Sequence, residues 1–198
     1  MKRLKIGVLA SGGGTNLQSI IDNCIEGKIN GDVVLVISNN SKAKALKRAA
    51  NHGIDGLHIS SFSEGTQEKA DKKICAEMVS RGVDLIVLAG YMKSVSSELL
   101  NTYEGRIINI HPALLPKFGG TGMYGMRVHE AVIASGEKES GPSVHYVDSK
   151  YDHGSIIAQV KVPVYHEDTP EILQKRVLVE EHKLLPEVIR KIAEEWKS

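Results

Sequence analysis

The stretch Asp84-Leu85-Ile86-Val87-Leu88-Ala89 is aliphatic at every position after its first. A strand with one wet face alternates apolar and polar residues, whereas an unbroken run of this length belongs to a strand covered on both faces. Covering both faces takes helices, and the rest of the chain supplies them. Runs rich in Val, Ile and Leu near residues 4–10, 32–37, 56–60, 83–89 and 106–110 alternate with helical patterns near 16–27, 43–52, 66–81 and 96–102. This order predicts an α/β fold, Rossmann-like, with a mostly parallel central sheet and helices on both faces.

The pattern changes after residue 112. Residues 112–126 are rich in Pro and Gly, and a helix is expected near 127–135. The runs Pro142–Val147 and Ser155–Val162 flank a turn-rich segment at Asp148–Gly154, which predicts a C-terminal hairpin that makes the sheet mixed. Pro170 suits the first turn of a last helix reaching about Trp196. No repeat or linker interrupts this order, and one domain over residues 1–198 is expected.

Charge narrows the partners. Lys and Arg number 25 against 24 Asp and Glu, a net charge of +1, which offers no basic field for nucleic acid or an anionic membrane. Small-molecule substrates are therefore expected, and a homodimer is left open. The apolar stretch behind Met1-Lys2-Arg3 is too short for a signal peptide, and no segment approaches the roughly 20 apolar residues of a membrane span. Cys24 and Cys75 read as reduced, buried thiols of a cytoplasmic protein.

Ser11-Gly12-Gly13-Gly14-Thr15-Asn16 follows the first strand and opens a helix. A dinucleotide fingerprint would need a third glycine where Leu17 stands and an acidic residue where Ser38-Asn39-Asn40 stands, so NAD binding is disfavoured. No Gly-Lys-Ser/Thr follows, which excludes a Walker phosphate loop. Thr15 and Gln18 form a capping-box pattern, and free N–H groups at the helix start can face a phosphate monoester. A tight strand–helix turn without a ligand explains the glycines equally well.

Gly105-Arg106-Ile107-Ile108-Asn109-Ile110-His111-Pro112 carries the clearest chemistry. Asn109 and His111 lie two apart on an extended segment, so both side chains share a side at the carboxyl end of a strand, where open α/β sheets bind ligands. A carboxamide beside an imidazole offers a donor and a titratable group to one reacting atom. In the turn 148–154 both Asp148 and Asp152 could supply a carboxylate, and their chemistry alone does not choose between them. No histidine or cysteine spacing suggests a metal site, and none is expected.

Gly-Gly-Gly-Thr-Asn at 12–16, Leu-Ala-Gly-Tyr-Met at 88–92, Asn-Ile-His-Pro-Ala-Leu-Leu-Pro at 109–116, Ser-Val-His-Tyr-Val at 143–147 and Glu-Glu-His at 180–182 occur in that order. Together they resemble the folate-dependent phosphoribosylglycinamide formyltransferases over essentially the whole chain. The resemblance implies formyl transfer from 10-formyltetrahydrofolate, with Asn109, His111 and Asp152 as the catalytic trio. It assigns Gly14, Thr15, Asn16 and Glu181 to the phosphoribosyl substrate. It assigns Gln67, Met92, Lys93, Ser94 and Val95, with Asn109, to the folate. Some relatives carry an arginine where Gln67 stands, and Ser94 is more polar than the aliphatic residue often found there. Asp152 is expected to hold His111 protonated at neutral pH, His145 to be structural or substrate-orienting, and Lys117–Arg127 to form a mobile lid.

Overall fold

The computed structural model describes residues 2–196. Nine strands form: β1 (Leu4–Leu9), β2 (Gly31–Ser38), β3 (Asp55–His58), β4 (Leu85–Leu88), β5 (Ile107–His111), β6 (Glu139–Ser140), β7 (Ser143–Tyr146), β8 (Ile156–Gln159) and β9 (Val162–Pro163). The helices are α1 (Thr15–Ile25), α2 (Lys44–Asn51), α3 (Ser61–Glu64), α4 (Gln67–Ser80), α5 (Ser97–Thr102), α6 (Met126–Ser135) and α7 (Pro170–Glu195). Seven strands build one sheet in the order β3-β2-β1-β4-β5-β7-β8. The first five run parallel, β7 runs against them and β8 runs against β7, so the sheet is mixed as expected.

The aliphatic run at 85–88 is buried at every position because it lies mid-sheet between β1 and β5. Residue parity then divides the core. Val87, Ile108, Ile110 and Val144 face α1, α2 and α7, while Ile86, Leu88 and Ile107 face α4 and α5. Asn109 and His111 have the parity of Ile107 but sit farther along the strand, which carries them to the sheet's carboxyl edge.

Three features depart from the sequence reading. The short helix α3, with a Ser60–Ser63 capping box, was not expected. The run 155–162 is not one strand: β8 ends at Gln159, and β9 leaves to pair with β6 in a separate two-stranded sheet. At the start of α1 the capping box does not form. Thr15 is the first helical residue, the cap is Gly14 at φ 70°, and no side chain caps the helix. Gln18 turns instead to Asp22, His52 and Arg48. Gly14 is required twice over, since its backbone is left-handed and a Cβ there would meet the Cα of Ala45 at 2.7 Å.

Candidate active site

The carboxyl ends of β1, β4 and β5 open on a cleft of about 520 Å³. The strand order reverses direction between β1 and β4, which parts the loops that follow them. Ser11 ties those loops together: its N–H donates to the Gly90 carbonyl, and its Oγ accepts from the Met92 N–H at 2.8 Å. Asn16, Glu181, Met92–Val95 and the turn 148–152 all line the cleft.

The structure brings Asn109, His111 and Asp152 together. Pairing of β5 with β7 sets Asn109 opposite His145. His145 Nδ1 lies 2.8 Å from the Tyr146 carbonyl, which requires the proton on Nδ1. Its Nε2 lone pair then accepts from Asn109 Nδ2 at 3.1 Å. Asn109 Nδ2 gives its other hydrogen to Asp152 Oδ1 at 3.3 Å. Both amide hydrogens are thus engaged.

Asp152 stands at φ 54°, a left-handed backbone that aspartate tolerates better than most residues but that still costs energy. Gly154 lets the turn close, because a Cβ at that position would meet the Tyr146 carbonyl oxygen at 1.8 Å. The Gly120 N–H donates to Asp152 Oδ2 at 3.0 Å, and His111 Nδ1 lies 3.5 Å from the same oxygen. Burial raises the Asp152 carboxyl, but the attraction of the His145 and His111 rings in their protonated forms, with the Gly120 N–H, outweighs it and leaves its pKa below the ordinary value. Asp148 is turned outward to the Lys150 N–H and His153.

His111 differs from expectation. It is 3% exposed, and burial lowers its pKa more than Asp152 raises it, so the neutral imidazole is favoured. Its Nε2–H donates to the Phe118 carbonyl at 2.7 Å, which leaves the Nδ1 lone pair facing Asp152. Sequence motifs do not disclose the contacts from Phe118 and Gly120, because both come from backbone atoms of the loop 117–125.

Of the residues assigned to the phosphoribosyl substrate, Asn16 and Glu181 meet in the cleft, whereas Gly14 and Thr15 do not line it. Asn16 Nδ2 donates to Glu181 Oε2 at 2.6 Å, and burial raises the Glu181 carboxyl against that bond. Met92, Lys93, Ser94 and Val95 all line the cleft. Gln67 does not: it bonds Asp71 and lines a neighbouring cavity of about 320 Å³, which meets the cleft at Tyr91 and Lys93. Buried His129, which also lines the cleft, has its pKa pushed down to about 4 by burial and by His111. Both cysteines are free and buried, and burial pushes the Cys24 thiol up to about 11. Among the described residues no group of three or more His, Cys, Asp or Glu could hold a metal ion, and no helix is long and apolar enough to cross a membrane.

A family model described as formyl transferase matches residues 4–189. The chain is 46% identical over 204 residues to the chloroplastic phosphoribosylglycinamide formyltransferase of Arabidopsis thaliana, covering 100% of this chain and 69% of that protein. It is 39% identical over 186 residues to the phosphoribosylglycinamide formyltransferase of Escherichia coli (strain K12), covering 94% of this chain and 85% of that protein. A crystal structure of glycinamide ribonucleotide transformylase 1 from Symbiobacterium toebii superposes with a TM-score of 0.92 at 42% identity, covering 98% of this chain and 89% of that one. The chain therefore belongs to the formyl transferases, and among them to the phosphoribosylglycinamide formyltransferases.

Proposed function

We propose that the protein transfers the formyl group of 10-formyltetrahydrofolate to the amine of N1-(5-phospho-D-ribosyl)glycinamide, a step of de novo purine biosynthesis. The observation that carries this is the meeting, in one cleft, of Asn109, His111 and Asp152 with Asn16, in the first turn of α1, and its partner Glu181. Gly14, Thr15, Asn16 and Glu181 hold the phosphoribosyl end of the acceptor. Met92, Lys93, Ser94 and Val95 hold the folate, and Gln67 takes part only from the adjoining cavity.

The neutral amine attacks the formyl carbon, and the formyl oxygen becomes an anion. Asn109 Nδ2 and His111 Nε2–H are the donors for that oxygen, once the substrate displaces their present partners. His111 must release the Phe118 carbonyl, which makes movement of the loop 117–125 part of the cycle. When a proton is taken up at His111 Nδ1, Asp152 Oδ2 stabilises the imidazolium, whose Nε2–H is then a stronger donor to the oxyanion. The amine gives up a proton and N10 of the folate receives one; the C–N10 bond breaks as the new amide C–N bond is kept. No covalent enzyme intermediate takes part. A single domain performs the reaction in the cytoplasm on small molecules, and the net charge of +1 offers no basic field for nucleic acid or an anionic membrane.

Incubation with 10-formyltetrahydrofolate, with and without the glycinamide ribonucleotide, tests the assignment. Tetrahydrofolate release that depends on the acceptor is expected. Release without acceptor would make the protein a hydrolase, and no release would make it a binding module.

A further inference from the structure

The free N–H groups at the start of α1 point as they do because their peptide planes are clamped from behind. The Gly12 carbonyl accepts from the Ala45 N–H of α2 at 3.1 Å, and the Gly13 carbonyl accepts from Arg48 Nε at 2.9 Å. Across a trans peptide, the C=O of one residue and the N–H of the next point in opposite directions. Drawing these two carbonyls toward α2 therefore turns the N–H groups of Gly13 and Gly14 away from it. Among the described residues, no protein acceptor meets either of them, nor the N–H groups of Thr15 and Asn16.

Arg48 also donates from Nη1 to Gln18 Oε1 at 3.1 Å, so its guanidinium bridges the turn and the body of α1. Both acceptors are neutral, so neither offsets its positive charge behind the turn. A second observation points to a ligand in front of it. Asn16, 8% exposed, lines the cleft with its Nδ2 held by Glu181 and its Oδ1 without a partner. Among the described residues, the protein supplies no partner for this acceptor beside the turn.

We propose that Arg48 is the positioning residue that makes the turn 12–16 select a phosphorylated acceptor over the same molecule without its phosphate. It does not touch the phosphate. It fixes the Gly13–Gly14 peptide plane so that the amide faces the anion, and it adds positive potential from the far side. The proposal rests on the acceptor assigned above and deepens it.

The test compares wild type, Arg48→Ala and Arg48→Lys on the glycinamide ribonucleotide and on the corresponding riboside. In Arg48→Ala the preference for the ribonucleotide, as a ratio of kcat/KM values, falls about 10-fold or more, with the loss in KM rather than kcat. Arg48→Lys restores part of it, because an ammonium supplies the charge but cannot bridge Gly13 and Gln18 as a fork. A parallel arm reads the rise in thermal midpoint caused by inorganic phosphate, which shrinks in Arg48→Ala. An unchanged preference, or equal losses on both acceptors, overturns the proposal, as does an unchanged phosphate response. Failure of the wild type to formylate either acceptor removes the acceptor assignment instead, and the phosphate arm then decides on Arg48 alone.

Discussion

Replacing Asp152 with Asn changes one atom and removes one charge, which isolates what the carboxylate contributes. His111 Nδ1 lies 3.5 Å from Asp152 Oδ2. Two unit charges at that distance attract by about 5 kcal/mol at an effective dielectric of about 20. Desolvation absorbs part of this, and carboxylate neighbours shift a partner's pKa by about 1–3 units in practice, or about 1.4–4 kcal/mol. Because burial already depresses His111, losing the carboxylate lowers it further and withdraws the stabilisation of any imidazolium formed in the reaction. A second cost is a lost hydrogen bond. Asp152 accepts from Gly120 N–H through one oxygen and from Asn109 Nδ2 through the other, so an amide must present its NH2 to one of these donors. We expect kcat to fall by about 10²–10³ with a small change in KM for the ribonucleotide. Steady-state assay of acceptor-dependent tetrahydrofolate release measures this, and NMR titration of the His111 ring follows the pKa. A variant with kcat within about threefold of wild type would refute the role given to the carboxylate.

Three further outcomes are expected. Asn109→Ala removes an oxyanion donor and the partner of His145 Nε2, and should lower kcat by about 10²–10³ while circular dichroism stays unchanged. Gly14→Ala adds a Cβ 2.7 Å from the Ala45 Cα at φ 70°, and should raise the KM for the ribonucleotide and lower the thermal midpoint; an unchanged KM would show that the turn does not bind it. Acid should destabilise the fold through His129. Its folded pKa of about 4 lies below the ordinary value of about 6.5, so the unfolded chain binds the proton first. The associated stability is present above about pH 6.5 and is lost as pH falls toward 4, on the order of 3 kcal/mol. Urea denaturation at a series of pH values reads this, and a His129→Phe variant with the same pH slope would contradict it.

How far the sequence alone reached can be judged from particular residues. Aliphatic runs such as 85–88 are local in their cause: a strand buried on both faces must be apolar throughout, so the parallel core was legible without coordinates. Asn109 and His111 were legible for a similar reason, since period two on a strand fixes their common side. The capping box at Thr15 failed because its pattern is also met by a glycine-capped turn, and the close approach of Ala45 selected the latter. The protonation of His111 failed because it depends on burial, a property of the whole fold. Spacing showed the imidazole but not the desolvation that outweighs Asp152. Asp152 could not be separated from Asp148 by chemistry, and only pairing of β5 with β7 and the closure of the turn at Gly154 bring one carboxylate to His111 and leave the other at the surface.

The sequence by itself determined the fold class and the strand end that carries Asn109 and His111, because both follow from short-range periodicity. Tertiary structure decided the charge of His111, the partners of Asn109 and the direction of the amides at 13 and 14. Each of these depends on atoms brought from distant segments: Phe118 and Gly120 from one loop, His145 from an antiparallel neighbour, and Ala45 and Arg48 from α2. Backbone donors and desolvation leave no residue pattern, so only the packed fold reveals them.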